Sequence, residues 1–394
     1  MKNINRRKFL SLSALAGAGA MVVPQMAFSA VKGNDETQEK SKTIPTRMLG
    51  NTGIEIPILS MGVMRADNPA VLRAAYNSGL TFFDTAHGYQ KGKNEEMLGA
   101  FFKGKDRNSF FLATKGKANL KSDNFEAEYE ELFNTSLRRL QMDYVDIFYT
   151  HALDNVESVS DPRMLAMLKK FKAEGKTRHI GFSTHANKPE QIDAAIKTGV
   201  YEVILISYNF KLDILPELDA AIQRGVDAGI GFVAMKTMVG GVEDAAGDKK
   251  VDGAACLRWV WQNPNITTAI PGFTSFDLLD NCLAAAYSPE LQASDTQYLA
   301  GLQQNEMLYC QNCESCVKQC TKHLPIPAIM RAYMYNYGYN YPSLSKETLV
   351  ELSLTGNECS GCDSCKVNCP SGFKISDKIA AITPIVNVCD DFLA

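Results

Sequence analysis

The sequence predicts an α/β fold, a (β/α)8 TIM barrel followed by a small, mainly α-helical C-terminal domain. Two observations predict this arrangement. Between about residues 46 and 290, short apolar segments alternate with amphipathic helical patterns, as they do in barrels of this type. Beyond residue 305, eight closely spaced cysteines accompany further helical patterns.

Each predicted barrel strand is an apolar segment bounded by turn-forming residues. The eight segments are Ile58–Gly62, Thr81–Asp84, Phe110–Thr114, Val145–Tyr149, His179–Ser183, Val203–Tyr208, Gly231–Met235 and Thr267–Ile270. Helical patterns between them include Asn124–Leu140, Met164–Glu174, Pro189–Thr198, Leu215–Ala228 and Leu257–Gln262. A doubly wound sheet is the alternative, but its first strand is usually followed by a G-x-G-x-x-G turn, which this chain lacks.

Side chains that can take part in catalysis lie at or after the ends of three neighbouring strands of the predicted barrel. Asp84 ends the second strand, Lys115 follows the third and His151 follows the fourth, while Tyr89 comes five residues after Asp84. Because barrel enzymes place their sites at the carboxyl ends of the strands, we expect these four side chains to meet. The alternative is a structural Asp84–Lys115 salt bridge with Tyr89 and His151 merely packed beside it.

The segment from Asp84 to Tyr89, with Lys115 and His151 at the matching strand ends, resembles the aldo/keto reductase family over roughly residues 46–290. Gly181-Phe182-Ser183 and Ile270-Pro271-Gly272 also fit that family. The resemblance implies that the tyrosine donates a proton to a carbonyl or alcohol substrate and that the lysine lowers the pKa of its hydroxyl. It further implies that the aspartate holds the lysine and that the histidine orients the substrate.

The resemblance also implies a nicotinamide cofactor, NAD(P). The candidate cofactor-binding residues are Ser183, Asn209, Gly272, Thr274, Ser275 and Asn281. Thr184 and Leu205 depart from the amide side chains common in the family, and no Lys or Arg lies between Gly272 and Asn281. The missing charge argues against NADPH and leaves NADH, another cofactor or a pocket without a nucleotide as alternatives.

The eight C-terminal cysteines form two identical C-x2-C-x2-C-x3-C runs, the spacing that binds [4Fe–4S] clusters. The fourth cysteine of such a run typically ligates the other cluster. The predicted ligand groups are therefore Cys310, Cys313, Cys316 and Cys369 for one cluster, and Cys359, Cys362, Cys365 and Cys320 for the second. Disulfides or zinc are the alternatives, but neither produces this duplicated spacing.

Helical pieces at Ile326–Tyr333 and Lys346–Leu354 separate the two cysteine runs, so this domain resembles the α-helical ferredoxins of electron-transfer subunits. Tyrosines alternate between those pieces, at positions 333, 335, 337, 339 and 341. We expect them to form an irregular loop that covers the clusters, and an aromatic docking surface is the alternative.

The N-terminus predicts a twin-arginine export signal. Arg6 and Arg7 precede a weakly apolar run from Phe9 to Val23, and Ala27-Phe28-Ser29 offers a cleavage site. An uncleaved membrane anchor is the alternative. We therefore expect a signal at 1–29, a linker at 30–45, the barrel at 46–305 and the two-cluster domain at 306–394, with the mature protein in the periplasm or otherwise exported.

The composition excludes some partners. The net charge is −3 and no basic block follows the signal, so nothing favours nucleic acid or a stable membrane association after cleavage. The expected partners are a small-molecule carbonyl or alcohol and a redox protein. The sequence thus predicts an exported oxidoreductase whose barrel is coupled to two clusters. The alternatives are an electron-transfer or docking protein with a catalytically altered barrel, and clusters with a purely structural role.

Overall fold

Parallel strands around a closed barrel form the largest part of this computed structural model, which describes residues 43–153, 155–239, 251–304, 309–362 and 364–393. The predicted signal lies outside the described residues, as does most of the linker. The described strands are β1 (Thr46–Met48), β2 (Glu55–Pro57), β3 (Met61–Gly62), β4 (Phe82–Asp84), β5 (Phe111–Gly116), β6 (Val145–Thr150), β7 (Thr177–Thr184), β8 (Val203–Ser207), β9 (Gly231–Met235) and β10 (Ile266–Ala269).

The sheet runs in chain order from β3 to β10 with every neighbouring pair parallel. A bridge between Leu59 and Ala269 joins its two edges. Because strand side chains alternate between faces, Phe82, Ile147 and Val233 fill the barrel interior, whereas Phe83 and Phe148 pack against the outer helices. The predicted barrel is confirmed.

Helices alternate with the strands and continue into the C-terminal region. They are α1 (Pro69–Asn77), α2 (Lys93–Phe102), α3 (Phe125–Leu140), α4 (Val156–Val159), α5 (Pro162–Ala173), α6 (Lys188–Thr198), α7 (Leu215–Asp227), α8 (Gly253–Trp261), α9 (Phe276–Tyr287), α10 (Ala293–Gln304), α11 (Ile326–Tyr337), α12 (Pro342–Glu351) and α13 (Ile375–Ile382). Asn68 and Asp161 accept hydrogen bonds from the first free amides of α1 and α5, and proline opens both helices.

An antiparallel hairpin of β1 and β2, absent from the predicted elements, covers the amino-terminal end of the barrel. Arg47 donates hydrogen bonds to the carbonyl oxygens of Trp261, Asn263 and Ile266, where β10 begins. Its turn contains Gly50 at φ +52, where a β-carbon would lie 2.4 Å from the Gly231 nitrogen. The hairpin leaves the opposite, carboxyl end of the barrel for the site.

The C-terminal region (residues 309–393) has its own apolar core, in which Ile329, Leu349 and Ile379 from the three helices α11, α12 and α13 meet. The predicted irregular tyrosine loop is wrong for most of its length, because α11 continues to Tyr337. No proline or glycine lies between Ala328 and Tyr337, and the backbone N–H of Gly338 donates to the Met334 oxygen at 2.8 Å. Tyr339 and Tyr341 alone follow the helix end.

Candidate functional site

A cavity of about 600 Å³ lies at the carboxyl ends of the barrel strands. Asp84, Tyr89, Lys115 and His151 all line it, so the structure brings the four sequence-predicted candidates together. Helices of the C-terminal region close its other side. The cavity is therefore shared between the barrel and the cysteine-bearing region.

A buried ion pair lies at one wall of the cavity. The Lys115 Nζ lies 2.5 Å from the Asp84 Oδ1 and donates a second hydrogen bond, 2.6 Å long, to the Thr85 oxygen. Burial raises the pKa of Asp84 and lowers that of Lys115, and their mutual attraction opposes both shifts. Each of these two buried charges is therefore stabilised by the other, and loss of either partner would favour the neutral form of the one that remains.

A second carboxylate, missed by the sequence analysis, supports this lysine from behind. Glu95 is fully buried and accepts a hydrogen bond of 2.6 Å from the Thr114 hydroxyl, next to Lys115. Its charge raises the pKa of Lys115, after the larger effects of burial, which lowers it, and of Asp84. A Glu near the start of a helix gives no sequence signal that separates this role from ordinary N-terminal helix stabilisation.

Tyr89 lies between the lysine and the histidine. The Lys115 Nζ is 5.0 Å from the centre of its ring, and the His151 ring meets it edge-on at 5.8 Å. Burial raises the pKa of Tyr89 well above its ordinary value, and the Asp84 charge adds to the shift. The direction is opposite to the lowering that the family resemblance implies, because burial disfavours the charged phenolate. Tyr89 is therefore a protonated phenol at neutral pH.

His151 presents a neutral imidazole to the cavity. Burial, followed by the charge of Lys115, lowers its pKa well below the ordinary value. A neutral ring has one N–H to donate and adds no charge to the site. This suits a group that orients a carbonyl oxygen by a hydrogen bond.

The nicotinamide candidates divide into two groups. Ser183 and Gly272 line the cavity, while Thr274, Ser275 and Asn281 are exposed around the start of α9 and along it, where Ser275 accepts a hydrogen bond from the Leu278 amide. The N-terminus of α9 is the kind of site that binds phosphate through backbone N–H groups.

Asn209 does not face the cavity in the way that the nucleotide assignment requires. Its amide donates to the Gln311 side chain at 2.9 Å and to the Lys236 oxygen at 3.1 Å. Leu205 presents an apolar side chain to the cavity from β8. Asn209, the candidate to compensate for the amide missing at Leu205, is thus bound to the residue that follows Cys310.

Five of the eight cysteines pack in the C-terminal core, namely Cys310, Cys316, Cys320, Cys359 and Cys369, and the described residues contain no disulfide. Burial raises the pKa of Cys310 to about 11, and the nearby thiols of Cys313 and Cys369 add to that shift. Burial also raises the pKa of Cys359, with contributions from Cys362, Cys365 and Cys320. Each group therefore contains three thiols of one run and the last thiol of the other, a donor set that fits iron–sulfur clusters.

The two thiol groups differ in exposure. Cys316 of the first group is buried and Cys310 and Cys313 are partly buried, whereas Cys362 and Cys365 of the second are exposed. Among the described residues, no three His, Cys, Asp or Glu side chains are arranged to hold a single metal ion. The residues that follow Cys310 are hydrogen-bonded to the barrel, whereas the second group contains the two exposed cysteines.

The sequence analysis also missed the cavity residues of the C-terminal region. Arg331 and Tyr335 are four residues apart on α11 and both line the cavity, together with Tyr339. Arg65, from the loop after β3, lies over the Tyr339 ring at 4.6 Å. The sequence indicated that Arg331 and Tyr335 share one face of a helix. It did not indicate that this face contacts the barrel cavity.

Replacing Asp84 with asparagine is expected to lower the free energy of unfolding by about 3–5 kcal/mol, because the buried Lys115 ammonium would lose its counter-charge. Urea unfolding followed by tryptophan fluorescence under anaerobic conditions measures the change. The double variant with Lys115→Met buries neither charge and should recover part of the loss. A decrease below about 1 kcal/mol for the single variant would be typical of an exposed pair and would contradict this assignment.

The barrel thus holds an Asp–Lys pair, a tyrosine and a histidine in one cavity and is joined to a cysteine-rich region. The family model for the aldo/keto reductase family matches residues 56–253, and the chain belongs to this family. A second model, for a 4Fe-4S dicluster domain, matches residues 309–374. The expected iron–sulfur region is thereby confirmed.

Similar proteins include an L-galactose dehydrogenase of Arabidopsis thaliana, 35% identical over 158 residues, which are 36% of this chain and 48% of that protein. An NADP(+) aldo-keto reductase of Schizosaccharomyces pombe is 34% identical over 162 residues, which are 36% of this chain and 46% of that protein. The chain thus spans about half the length of these two relatives.

A solved structure, the holo form of an aldo-keto reductase from Bacillus halodurans, matches with a TM-score of 0.54. The two proteins are 22% identical, and the match covers 66% of this chain and 96% of the solved structure, which supports the barrel fold. None of the helices in the described ranges is long and apolar enough to cross a membrane.

Proposed function

We propose that this protein is an exported oxidoreductase that interconverts a small carbonyl compound and its alcohol and carries two [4Fe–4S] clusters. The observation that carries the proposal is the Asp84–Lys115 pair beside Tyr89 and His151 in one cavity. Proton transfer to a developing alkoxide needs a neutral acid in a site that largely excludes water. Tyr89 meets that requirement.

Each of the four side chains has a separate role in the proposed reduction. His151 donates a hydrogen bond to the carbonyl oxygen, and Tyr89 Oη gives that oxygen its proton as negative charge develops. The Lys115 ammonium, held by Asp84, stabilises the phenolate that remains. A reduced nicotinamide held beside Ser183 and Gly272 would supply the hydride, and clusters held by the cysteine runs would supply single-electron chemistry. In alcohol oxidation, the tyrosine takes the proton back.

Ser183, Gly272, Thr274, Ser275 and Asn281 are the residues proposed to hold the nicotinamide nucleotide. The segment from Gly272 to Asn281 contains hydroxyls and a helix N-terminus but no Lys or Arg, which favours NADH over NADPH. Asn209 is assigned instead to the contact between the barrel and the residue after Cys310.

Export is proposed from the paired arginines and the apolar run that follows them, because the twin-arginine route carries proteins already folded around their cofactors. The proposed limits are a signal at 1–29, a linker at 30–45, the barrel at 46–305 and the two-cluster domain at 306–394. A cluster-bearing protein assembled in the cytoplasm requires such a route.

The second candidate is an electron-transfer protein whose barrel does not turn over a carbonyl. Two observations favour it. Asn209 is engaged by Gln311, and the exposed Cys362 and Cys365 would place the second cluster where a redox partner can reach it. This candidate predicts fast electron exchange with a partner protein and no nucleotide binding.

An anaerobic titration of the cluster-loaded protein with NADH, then with NADPH, distinguishes the two candidates. The oxidoreductase is expected to bind NADH and to reduce 4-nitrobenzaldehyde as a model carbonyl. Bleaching of the visible cluster absorbance would show that electrons from the nucleotide reach the clusters within this chain. Absence of both nucleotide binding and aldehyde reduction would overturn the first candidate in favour of the second.

A further inference from the structure

The turn that carries Tyr89 has an unfavourable backbone conformation. Gln90, Lys91 and Gly92 follow one another with φ values of 50°, 55° and 92°, all in the left-handed region. Only glycine adopts that region without a steric penalty, so two residues of this turn are strained. Such a conformation persists only where surrounding contacts hold it. The position of Tyr89 depends on those contacts because it begins the turn.

One contact comes from the far end of the chain. The backbone N–H of Gln90 donates a hydrogen bond of 2.6 Å to the Tyr341 hydroxyl, across 251 positions of sequence. The Tyr341 N–H in turn donates to the Tyr335 oxygen at 2.8 Å, which ties it to the end of α11. The amide at the first strained residue is thereby bound to the region that contains the cysteine runs.

The same region closes the cavity around the turn. Tyr335, Tyr339 and Glu347 contribute to the cavity wall, and Lys117 of the barrel forms a salt bridge with Glu351 of α12. Without residues 309–393, the barrel would lack both this wall and the hydrogen-bond acceptor for Gln90. The cysteine-bearing region is thus part of the site and not an appended module.

We propose that Tyr341 is a positioning residue for Tyr89 and that the C-terminal region completes the catalytic site of the barrel through it. The phenol of Tyr341 holds the strained turn, and the turn directs the Tyr89 hydroxyl toward the substrate oxygen. This inference rests on the proposed role of Tyr89 as the proton donor. The alternative is that Tyr341 has only a packing role between the barrel and the C-terminal region.

The test compares Tyr341→Phe with Tyr337→Phe. Both variants remove one tyrosine hydroxyl from the same region, but the Tyr337 hydroxyl bonds only to the Ala381 oxygen, at 3.4 Å, among the described residues. For Tyr341→Phe we expect kcat for 4-nitrobenzaldehyde to fall about 10- to 100-fold with little change in KM, because the acid is misplaced. Tyr337→Phe should match the wild type.

Hydrogen exchange gives a second readout that needs no substrate. In the cluster-loaded protein, the peptide covering residues 86–98 should exchange about fivefold faster in Tyr341→Phe, the factor for losing one hydrogen bond. Exchange and kcat equal to those of Tyr337→Phe would overturn the proposal. Faster exchange with no aldehyde reduction in any form would support the positioning role and show that the proposed reaction itself is wrong.

Glycine at position 91 tests whether Tyr341 acts through the strained turn. Lys91 is exposed at φ 55, so Lys91→Gly relieves strain, whereas Lys91→Ala removes the same charge and keeps it. In the Tyr341→Phe background, Lys91→Gly should recover much of the lost kcat and Lys91→Ala should not. If Tyr341→Phe fails to accumulate, the Lys91→Gly double variant should accumulate, and equal behaviour of the two double variants would overturn the proposal.

Discussion

Replacement of Tyr89 by phenylalanine is expected to lower kcat for carbonyl reduction by about 10²–10⁴-fold, the usual contribution of general acid catalysis. The ring is retained, so its edge-on contact with His151 and its position near Lys115 should persist. Only the proton donor is removed. The visible absorbance and iron content of the clusters should be unchanged, because the substitution touches none of the cysteine groups.

The measurement is steady-state reduction of 4-nitrobenzaldehyde by the anaerobic, cluster-loaded protein. Tyr337→Phe is the matched control, since its hydroxyl belongs to the C-terminal region. A Tyr89→Phe enzyme within about twofold of the wild type would exclude Tyr89 as the acid. The cavity would then have to use another donor, and the resemblance-based assignment would be wrong.

The upward shift of the Tyr89 pKa determines the protonation state with which the mechanism begins. A partly buried phenol with a raised pKa is fully protonated at neutral pH but gives up its proton reluctantly. The Lys115 ammonium, 5.0 Å from the ring, becomes useful as negative charge moves onto the phenol oxygen. In the proposed reduction, this stabilisation would be concentrated in the transition state, where it accelerates the reaction, and not in the resting protein.

The barrel was predictable because its strands are local patterns. Val145–Thr150 and Gly231–Met235 are short apolar runs between turn residues, and their alternation with helices leaves few topologies. The positions of Asp84, Lys115 and His151 followed, since each ends or follows a strand. The hairpin β1–β2 was missed because its strands are three residues long and carry little periodicity.

The inter-domain part of the site could not be predicted from local patterns. The bond between Gln90 and Tyr341 joins positions far apart in sequence, and nothing near either residue indicates the other. Similarly, Asn209 was a candidate to compensate for the family amide that Leu205 replaces, yet its own amide donates to Gln311. A side chain with a polar end binds whichever partner the tertiary structure brings within reach, and only the fold reveals that partner.

The hydrogen bond between Asn209 and Gln311 is one of the contacts that join the barrel to the C-terminal region. Gln311 and Asn312 follow the first cysteine of the first thiol group, and the Asn312 amide donates to the His185 oxygen at 3.0 Å. His185 itself lines the cavity. The residues that follow Cys310 are therefore bound to the barrel at Asn209, Val239 and His185, while the second thiol group is exposed at Cys362 and Cys365.

Alanine substitution at Cys310 and Cys369 together is expected to remove one cluster and leave the other. The thiols of these two residues lie near each other although they belong to different runs. If they ligate the same cluster, each single variant and the double variant should all retain about four of the about eight iron atoms of two [4Fe–4S] clusters. The effects of the two substitutions would then not add.

The opposite outcome has a distinct signature. If each run held its own cluster, the double variant would lose nearly all its iron while each single variant kept about half. The combination of Cys310→Ala with Cys359→Ala should lose both clusters under either arrangement and sets the lower limit. Cys389→Ala, an exposed cysteine outside both runs, controls for loss of a thiol as such. Iron analysis and electron paramagnetic resonance of the dithionite-reduced proteins measure the difference, and they identify whether the cluster that remains is the one near the cavity or the one near solvent.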